Sequence, residues 1–180
     1  MAFISQTGKG QAIVLVPYYY EREVPVMKVT LYDTRITDDY RTVLVEEKAL
    51  EYAKDNMTNP QDIAELMRKT LDIDKLGEEH CYMLALNTKC RVLGIFLLSK
   101  GTIDASFMGA REIFVRALLA GASSIILCHN HPSKDCAPSQ ADIDGTKKVR
   151  DAGELMRIPL LDHIVIGGAS YFSFREHDML

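Results

Sequence analysis

Residues 123–145 read SSIILCHNHPSKDCAPSQADIDG, and the folding of this stretch organises the rest of the chain. Ile125, Ile126, Leu127 and Cys128 form an apolar run short enough to be a buried strand. The run ends in His129-Asn130-His131-Pro132. Residues two apart on a strand point to one side, so His129 and His131 can aim both imidazoles at one point. Pro132 cannot continue a ladder, which stops the strand and leaves the pair at its exposed end. After a short polar loop, Pro138-Ser139-Gln140-Ala141-Asp142 reads as a helix start, leading into Ile143, Val149 and Ala152 at roughly helical spacing. A carboxylate on the first turn of that helix, Asp142, can face back toward the two histidines. Two neutral imidazoles and one carboxylate match a catalytic zinc, which keeps three protein ligands and leaves a position for water.

Blander readings exist for each piece. Ser139-x-x-Asp142 also fits a variant capping box, with Asp142 near the positive end of the helix dipole, and both roles can hold together. A His-x-His pair alone is more often incidental than metal-binding. The specific signal is the whole spacing: His-x-His at a strand end, seven residues, then Ser-x-x-Asp at a helix start. The letters His-Asn-His also suggest a nuclease, but in nucleases named for those letters the three residues are spread along a longer motif.

The same spacing resembles the signature of the JAB/MPN (JAMM) zinc metalloproteases, and more closely their RadC-like branch. The resemblance runs from about Glu79 to the C-terminus. It is carried by Gly101-Thr102-Ile103-Asp104-Ala105-Ser106, by Arg111-Glu112-Ile113-Phe114, by 129–142, and by Leu160-Leu161-Asp162-His163. It implies an α+β, cytidine-deaminase-like three-layer fold with a mixed central β-sheet flanked by helices. It also implies one zinc per chain on His129, His131 and Asp142, and hydrolysis of peptide or isopeptide bonds.

Such a reaction needs a carboxylate outside the metal shell to move the water proton to the leaving nitrogen, and a donor for the oxyanion. The Ser139 hydroxyl, at the lip of the site, suits the second task. Glu79 and Glu112 are the candidates for the first. In the wider family the glutamate stands at the start of an early strand, just before an apolar run, and Glu79 before His80-Cys81-Tyr82-Met83-Leu84 matches that position. Glu112 matches an Arg-Glu pair at a helix start, where capping is the structural alternative. Asp162-His163 can orient a ligand from behind or simply be satisfied strand residues. Asn130 points away from its neighbours and suits bracing a loop. His177 is expected at the surface. Family members usually carry a small, flexible Gly-Asp-Pro-like run after His-Pro-Ser. Here it is Lys134-Asp135-Cys136-Ala137-Pro138, which puts the loop geometry in doubt. Cys136 is within loop reach of a zinc as a fourth ligand or redox switch, though a free surface cysteine is the simpler reading.

Composition sets the bounds. The 180 residues are 47% hydrophobic with a net charge of −4, which suits one globular domain with an extension. The acidic balance gives no global attraction for nucleic acid, and Lys147, Lys148 and Arg150 read as a solvated helix face. The four cysteines show no C-x-x-C spacing, and Cys81 and Cys128 lie in apolar runs. With no signal-peptide pattern and no apolar run of membrane-spanning length, a soluble, reducing, cytoplasmic setting is expected.

Residues 1–57 form a β-rich extension of unknown function, followed by a metallohydrolase domain over 58–180. Strands are expected over 11–17, 25–32 and 42–45, and a helix over 47–54. Tyr18-Tyr19-Tyr20 reads as packing or edge surface. Thr58-Asn59-Pro60 opens a helix carrying Ile63, Leu66, Met67 and Leu71. A hairpin over 80–86 and 91–98, a loop over 99–108, a helix over 110–119 ended by Gly121, and the site strand follow. The site helix is expected to run from Ser139 to about Ala152, with 153–159 as a connection. Strands over 160–166 and 170–174 close the domain, and the polar tail from 175 is expected to fray.

Three functions remain in play: a metallopeptidase acting on a peptide or protein substrate, a non-enzymatic scaffold of the same fold, and a DNA-repair-associated protein. Acidic charge and the lack of a helix-hairpin-helix pattern argue against direct nucleic-acid binding. Oligomeric state is open.

Overall fold

The structure, a computed structural model, describes residues 26–54, 57, 59–101 and 109–180. The expected strand at 11–17, the three tyrosines at 18–20 and most of the Gly101-to-Ser106 motif lie outside these residues. A seven-stranded mixed sheet runs through the molecule in the order β2-β1-β4-β3-β5-β6-β7. Its strands are β1 (Met27–Ile36), β2 (Thr42–Tyr52), β3 (His80–Leu86), β4 (Val92–Lys100), β5 (Ser124–Asn130), β6 (Leu160–Gly167) and β7 (Ser170–Ser173). Among the described residues three α-helices pack on it: α1 (Pro60–Leu71), α2 (Ala110–Leu119) and α3 (Gln140–Met156). None of the described helices is long and apolar enough to cross a membrane.

Period-two alternation in the central strands divides the core. Tyr82, Leu84 and Leu86 of β3 pack with Ile63, Leu66 and Met67 of α1. Cys81, Met83 and Ala85 turn the other way, onto Ile113, Phe114 and Ala117 of α2 and Val149 of α3. The sheet therefore has α1 on one face and α2 with α3 on the other, an α+β three-layer arrangement. Each fully buried Leu or Ile contributes roughly 1.5–3 kcal/mol to holding the layers together.

β5, α3 and β6 form a βαβ unit, because β5 and β6 are parallel neighbours with α3 between them in sequence. The start of α3 is thereby brought to the carboxyl end of β5, the position where open α/β sheets place their ligands.

Three expectations fail for legible reasons. The stretch 47–54, rich in Glu and Lys, is not a helix. Through Tyr52 it is the second half of β2, paired antiparallel with β1 from Met27↔Tyr52 to Ile36↔Thr42. Ladder pairing overrides a helical propensity of a few tenths of a kcal/mol per residue. Gly153 does not end α3. It lies inside the helix, at a place where a Cβ would stand 2.7 Å from the Ile158 carbonyl oxygen and 3.3 Å from Phe114 Cζ, so the close packing rather than a helix end calls for glycine. The helix stops instead at Arg157, which takes the left-handed conformation at φ 55°. The tail is also tied down rather than frayed. Met179 N–H donates to the Phe174 carbonyl at 2.9 Å, and the exposed His177 ring stacks on Phe172 at 4.0 Å.

Candidate metal centre

His129 and Asn130 end β5, and His131 continues the line by donating its N–H to the Ile166 carbonyl at 2.9 Å. His129 lies opposite Cys81 in the ladder and shares its face, the α2/α3 side of the sheet. Asp142 is the third residue of α3. Its N–H is capped by Ser139 Oγ at 3.2 Å, and its Oδ2 accepts from Ser139 N–H at 2.7 Å and from the Ser139 hydroxyl at 2.6 Å. The capping box and the turn of Asp142 toward the histidines thus coexist.

Among the described residues, His129, His131 and Asp142 form the cluster able to hold a metal ion. The two Nε2 atoms are 3.1 Å apart, His129 Nε2 is 3.4 Å from Asp142 Oδ1, and His131 Nε2 is 3.6 Å from Asp142 Oδ2. Four ligands around zinc at about 2.0–2.1 Å give donor–donor edges of about 3.3 Å in a tetrahedron; the three residues come close to this, with the two histidines approaching different oxygens of the carboxylate and one ligand atom from each residue within 4.8 Å of the others. Protonation fits as well. His131 Nδ1 lies 2.8 Å from the Asp135 carbonyl, which can only accept, so that nitrogen carries the proton and Nε2 keeps its lone pair.

Burial shapes the charges. It pushes His129 down to about 4 against the pull of the Asp142 carboxylate. His163, wholly buried, is held well below the usual histidine range by the same desolvation. The Asp142 carboxylate raises His131, outweighing partial burial. Burial also acts to raise Asp142, but His131, the charge of His129 and the Ser139 donors outweigh it and hold its carboxyl far below the normal range.

Behind the cluster lies a second row. His129 Nδ1 is 2.8 Å from His163 Nε2, and His163 Nδ1 is 2.6 Å from Thr146 Oγ1. Asp162 points to the opposite face, where it accepts from the Ser173 hydroxyl at 2.6 Å and the Arg175 N–H at 3.0 Å. Adjacent in sequence, the two residues are split by the strand's alternation: His163 serves the site and Asp162 fastens the C-terminal segment.

Residues 57–179 match the family model described as "RadC-like JAB domain". The chain belongs to that family. It is similar to UPF0758 proteins of Chlorobaculum parvum (42% identity over 120 residues, 67% of this chain and 53% of the relative) and Desulfitobacterium hafniense (40% over 124 residues, 69% and 54%). A UPF0758 protein of Clostridium acetobutylicum is 40% identical over 133 residues, covering 74% of this chain and 56% of the relative. The chain spans about half the length of the curated relatives it matches.

Within the RadC-like domain the two candidate glutamates are placed differently. Glu79 directly precedes β3, is half-buried, and its charge acts on both His131 and Cys81. Its flanking main chain is clamped by Asn130, whose Oδ1 accepts from His80 N–H at 2.8 Å and whose Nδ2 donates to the Glu78 carbonyl at 3.0 Å. Glu112 lies on the exposed first turn of α2, 3.2 Å from the Arg111 guanidinium, beside a surface groove lined by Thr34, Arg35 and Thr42.

The loop of the RadC-like domain accommodates its unusual residues. Lys134 takes φ 65°, the left-handed conformation expected to be difficult for it, and its N–H closes a turn on the His131 carbonyl at 3.0 Å. That conformation costs a lysine roughly 1–2 kcal/mol. Cys136 is half-buried and free, and it is not part of the metal-capable cluster. Lys147 and Lys148 lie on the exposed face of α3, and Arg150 pairs with Asp151 at 2.8 Å. Thr146 is the residue the sequence reading missed. Its only signal was its place four residues after Asp142, on the same helix face.

Proposed function

We propose that this chain is a zinc-dependent hydrolase of peptide or isopeptide bonds, with one zinc held by His129, His131 and Asp142. The supporting observation is the convergence of two imidazole nitrogens and a carboxylate oxygen, all within 4.8 Å of one another, at the carboxyl end of β5. Bound zinc supplies a Lewis acid and lowers the pKa of water to near ~7.

The chain's own side chains perform the remaining work. Glu79 takes a proton from the attacking water and delivers it to the leaving nitrogen. Its charge reaches His131, and Asn130 fixes the main chain on both sides of it. The Ser139 hydroxyl donates to the oxyanion of the tetrahedral intermediate. At rest its proton is directed at Asp142 Oδ2, so it must swing from that carboxylate to the substrate. An open groove of about 910 Å³ runs beside the loop that follows His131, lined by Arg68, Leu76, Gly77, Pro132, Lys134 and Gly168. It adjoins the connection leading to Glu79, but none of the cluster residues, Ser139 or Glu79 lines it. The hydrolase unit is 58–180, and the β1–β2 hairpin widens its sheet from outside.

Metal analysis of the purified protein and of Asp142→Ala tests the reading, together with peptide cleavage with and without a chelator. About one zinc per wild-type chain, loss of zinc in the variant and zinc-restored cleavage are expected. Cleavage that survives chelation, or a wild type without zinc, would overturn it. Stoichiometric zinc without cleavage would point to the scaffold, and salt-sensitive DNA binding to the DNA-associated role.

A further inference from the structure

A single carbonyl fixes the direction of every hydrogen bond behind the cluster. Thr146 Oγ1 lies 2.5 Å from the Asp142 main-chain oxygen and 2.6 Å from His163 Nδ1. The carbonyl can only accept, so the one hydroxyl proton of Thr146 goes to it. Toward His163 the threonine oxygen must then accept, which places the proton of His163 on Nδ1. His163 is fully buried, stacked on Phe174 at 5.0 Å, and hydrogen-bonds no carboxylate among the described residues that would balance a second proton, so its Nε2 presents a lone pair. Across 2.8 Å from that lone pair, His129 Nδ1 must carry the proton. With that proton on Nδ1, the Nε2 of His129 is the nitrogen left facing His131 and Asp142.

We propose that Thr146 and His163 are positioning residues, a relay that locks His129 in the Nδ1–H tautomer and so keeps its Nε2 open to a metal ion. The relay starts on the backbone of one cluster residue, Asp142, and ends on the ring of another, His129, tying the beginning of α3 to β5 through β6. Without it, a buried imidazole with no water to consult is free to carry its proton on Nε2, in the seat of the cation. This deepens the zinc reading and rests on it for its consequence, though the tautomers themselves can be observed in metal-free protein.

The test separates hydrogen bonding from packing. Thr146→Val keeps the side-chain volume and removes the acceptor; Thr146→Ser keeps the hydroxyl and leaves a methyl-sized hole. Zinc affinity, measured by competition with a chromophoric chelator, is expected to fall about 10–100-fold in Thr146→Val and to stay near wild type in Thr146→Ser. A packing role predicts the reverse order, and that result, or an unchanged Thr146→Val, overturns the proposal. Long-range ¹H–¹⁵N correlation spectra of the histidine rings give a second readout. In chelator-treated wild type, His129 and His163 are both expected with protons on Nδ1, and His129 protonated on Nε2 alone overturns the relay even if Thr146→Val does not fold. A wild type that takes up no zinc while showing the expected tautomers would sink the zinc reading and leave the relay standing.

Discussion

Lowering the pH from 7 to 5 in the presence of a chelator loads protons onto the histidines of the unfolded chain, while His129 and His163 in the folded chain resist them. His129 is held at about 4, against about 6.5 for a free histidine. A buried histidine with a depressed pKa binds fewer protons folded than unfolded, so stability is lost as pH falls through the unfolded value and the loss is complete below the folded one. The shift of about 2.5 units corresponds to roughly 3 kcal/mol in full, of which about 2 kcal/mol is lost between pH 7 and pH 5. His163, also pushed down by burial, adds to the loss. His131 works against it: its raised pKa gives stability that is present below the unfolded value and fades as pH rises. Two buried rings oppose one half-buried ring, and the net sign is acid destabilisation. Domains of this size have only about 5–15 kcal/mol in total, so the effect is large. Urea unfolding followed by circular dichroism at pH 7, 6 and 5 measures it. The midpoint should move down steadily with acid at constant slope. A midpoint that is flat or rises from pH 7 to pH 5 would refute the assignment of His129 and His163 as buried neutral rings.

Further outcomes test the catalytic assignments and the loop. Glu79→Gln should lower kcat by about 10²–10⁴-fold with zinc content unchanged, and retained turnover would return the base to Glu112. Asn130→Ala removes the two bonds that clamp residues 78–80, and should lower both melting temperature and kcat while zinc content holds. Ser139→Ala should cost about 1 kcal/mol of stability through the lost cap and lower kcat by a further 10²–10³-fold, read as kcat per bound zinc. Gly167→Ala would place a Cβ 2.6 Å from both the Cys136 nitrogen and the Lys134 oxygen, so the loop must shift. Because His131 is oriented by the Asp135 carbonyl in that loop, weaker zinc binding in a chelator competition is the expected readout.

Much of the site was legible because it is local. The His-x-His pair, Pro132 and Ser139-x-x-Asp142 lie within fourteen consecutive residues, 129–142, and each obeys a short-range rule of alternation or capping. The central strands and all three helices were legible for the same reason: their apolar residues repeat at the period of the element. What escaped is what depends on distant partners. Nothing near Glu47 announces that β1 will be beside it, and its neighbours favour a helix. Thr146 becomes visible only when β6 delivers His163 to its hydroxyl, a meeting of residues seventeen apart across two elements. Gly153 looked like a helix terminator because glycine usually is one, whereas here the missing side chain admits the Ile158 carbonyl and Phe114.

The alternation of β5 explains why one short strand serves two tasks. His129 turns toward the face where α3 delivers Asp142 and Thr146, while Asn130 turns to the other edge and grips the entry to β3. Candidate ligand and brace are consecutive residues, so a small displacement of β5 moves the metal-capable cluster and the main chain carrying Glu79 together. Relative placement of His129 and the main chain carrying Glu79 is then set by strand geometry, while the loop 132–138 acts on the candidate site through its Asp135 carbonyl on His131. The argument has a direct consequence for variants. Changes confined to loop side chains at 134 and 136 should leave the separation of Glu79 and the His129–His131–Asp142 cluster intact, whereas a one-residue shift in the β3–β5 register would exchange the faces of His129 and Asn130 and dismantle both the cluster and the clamp at once.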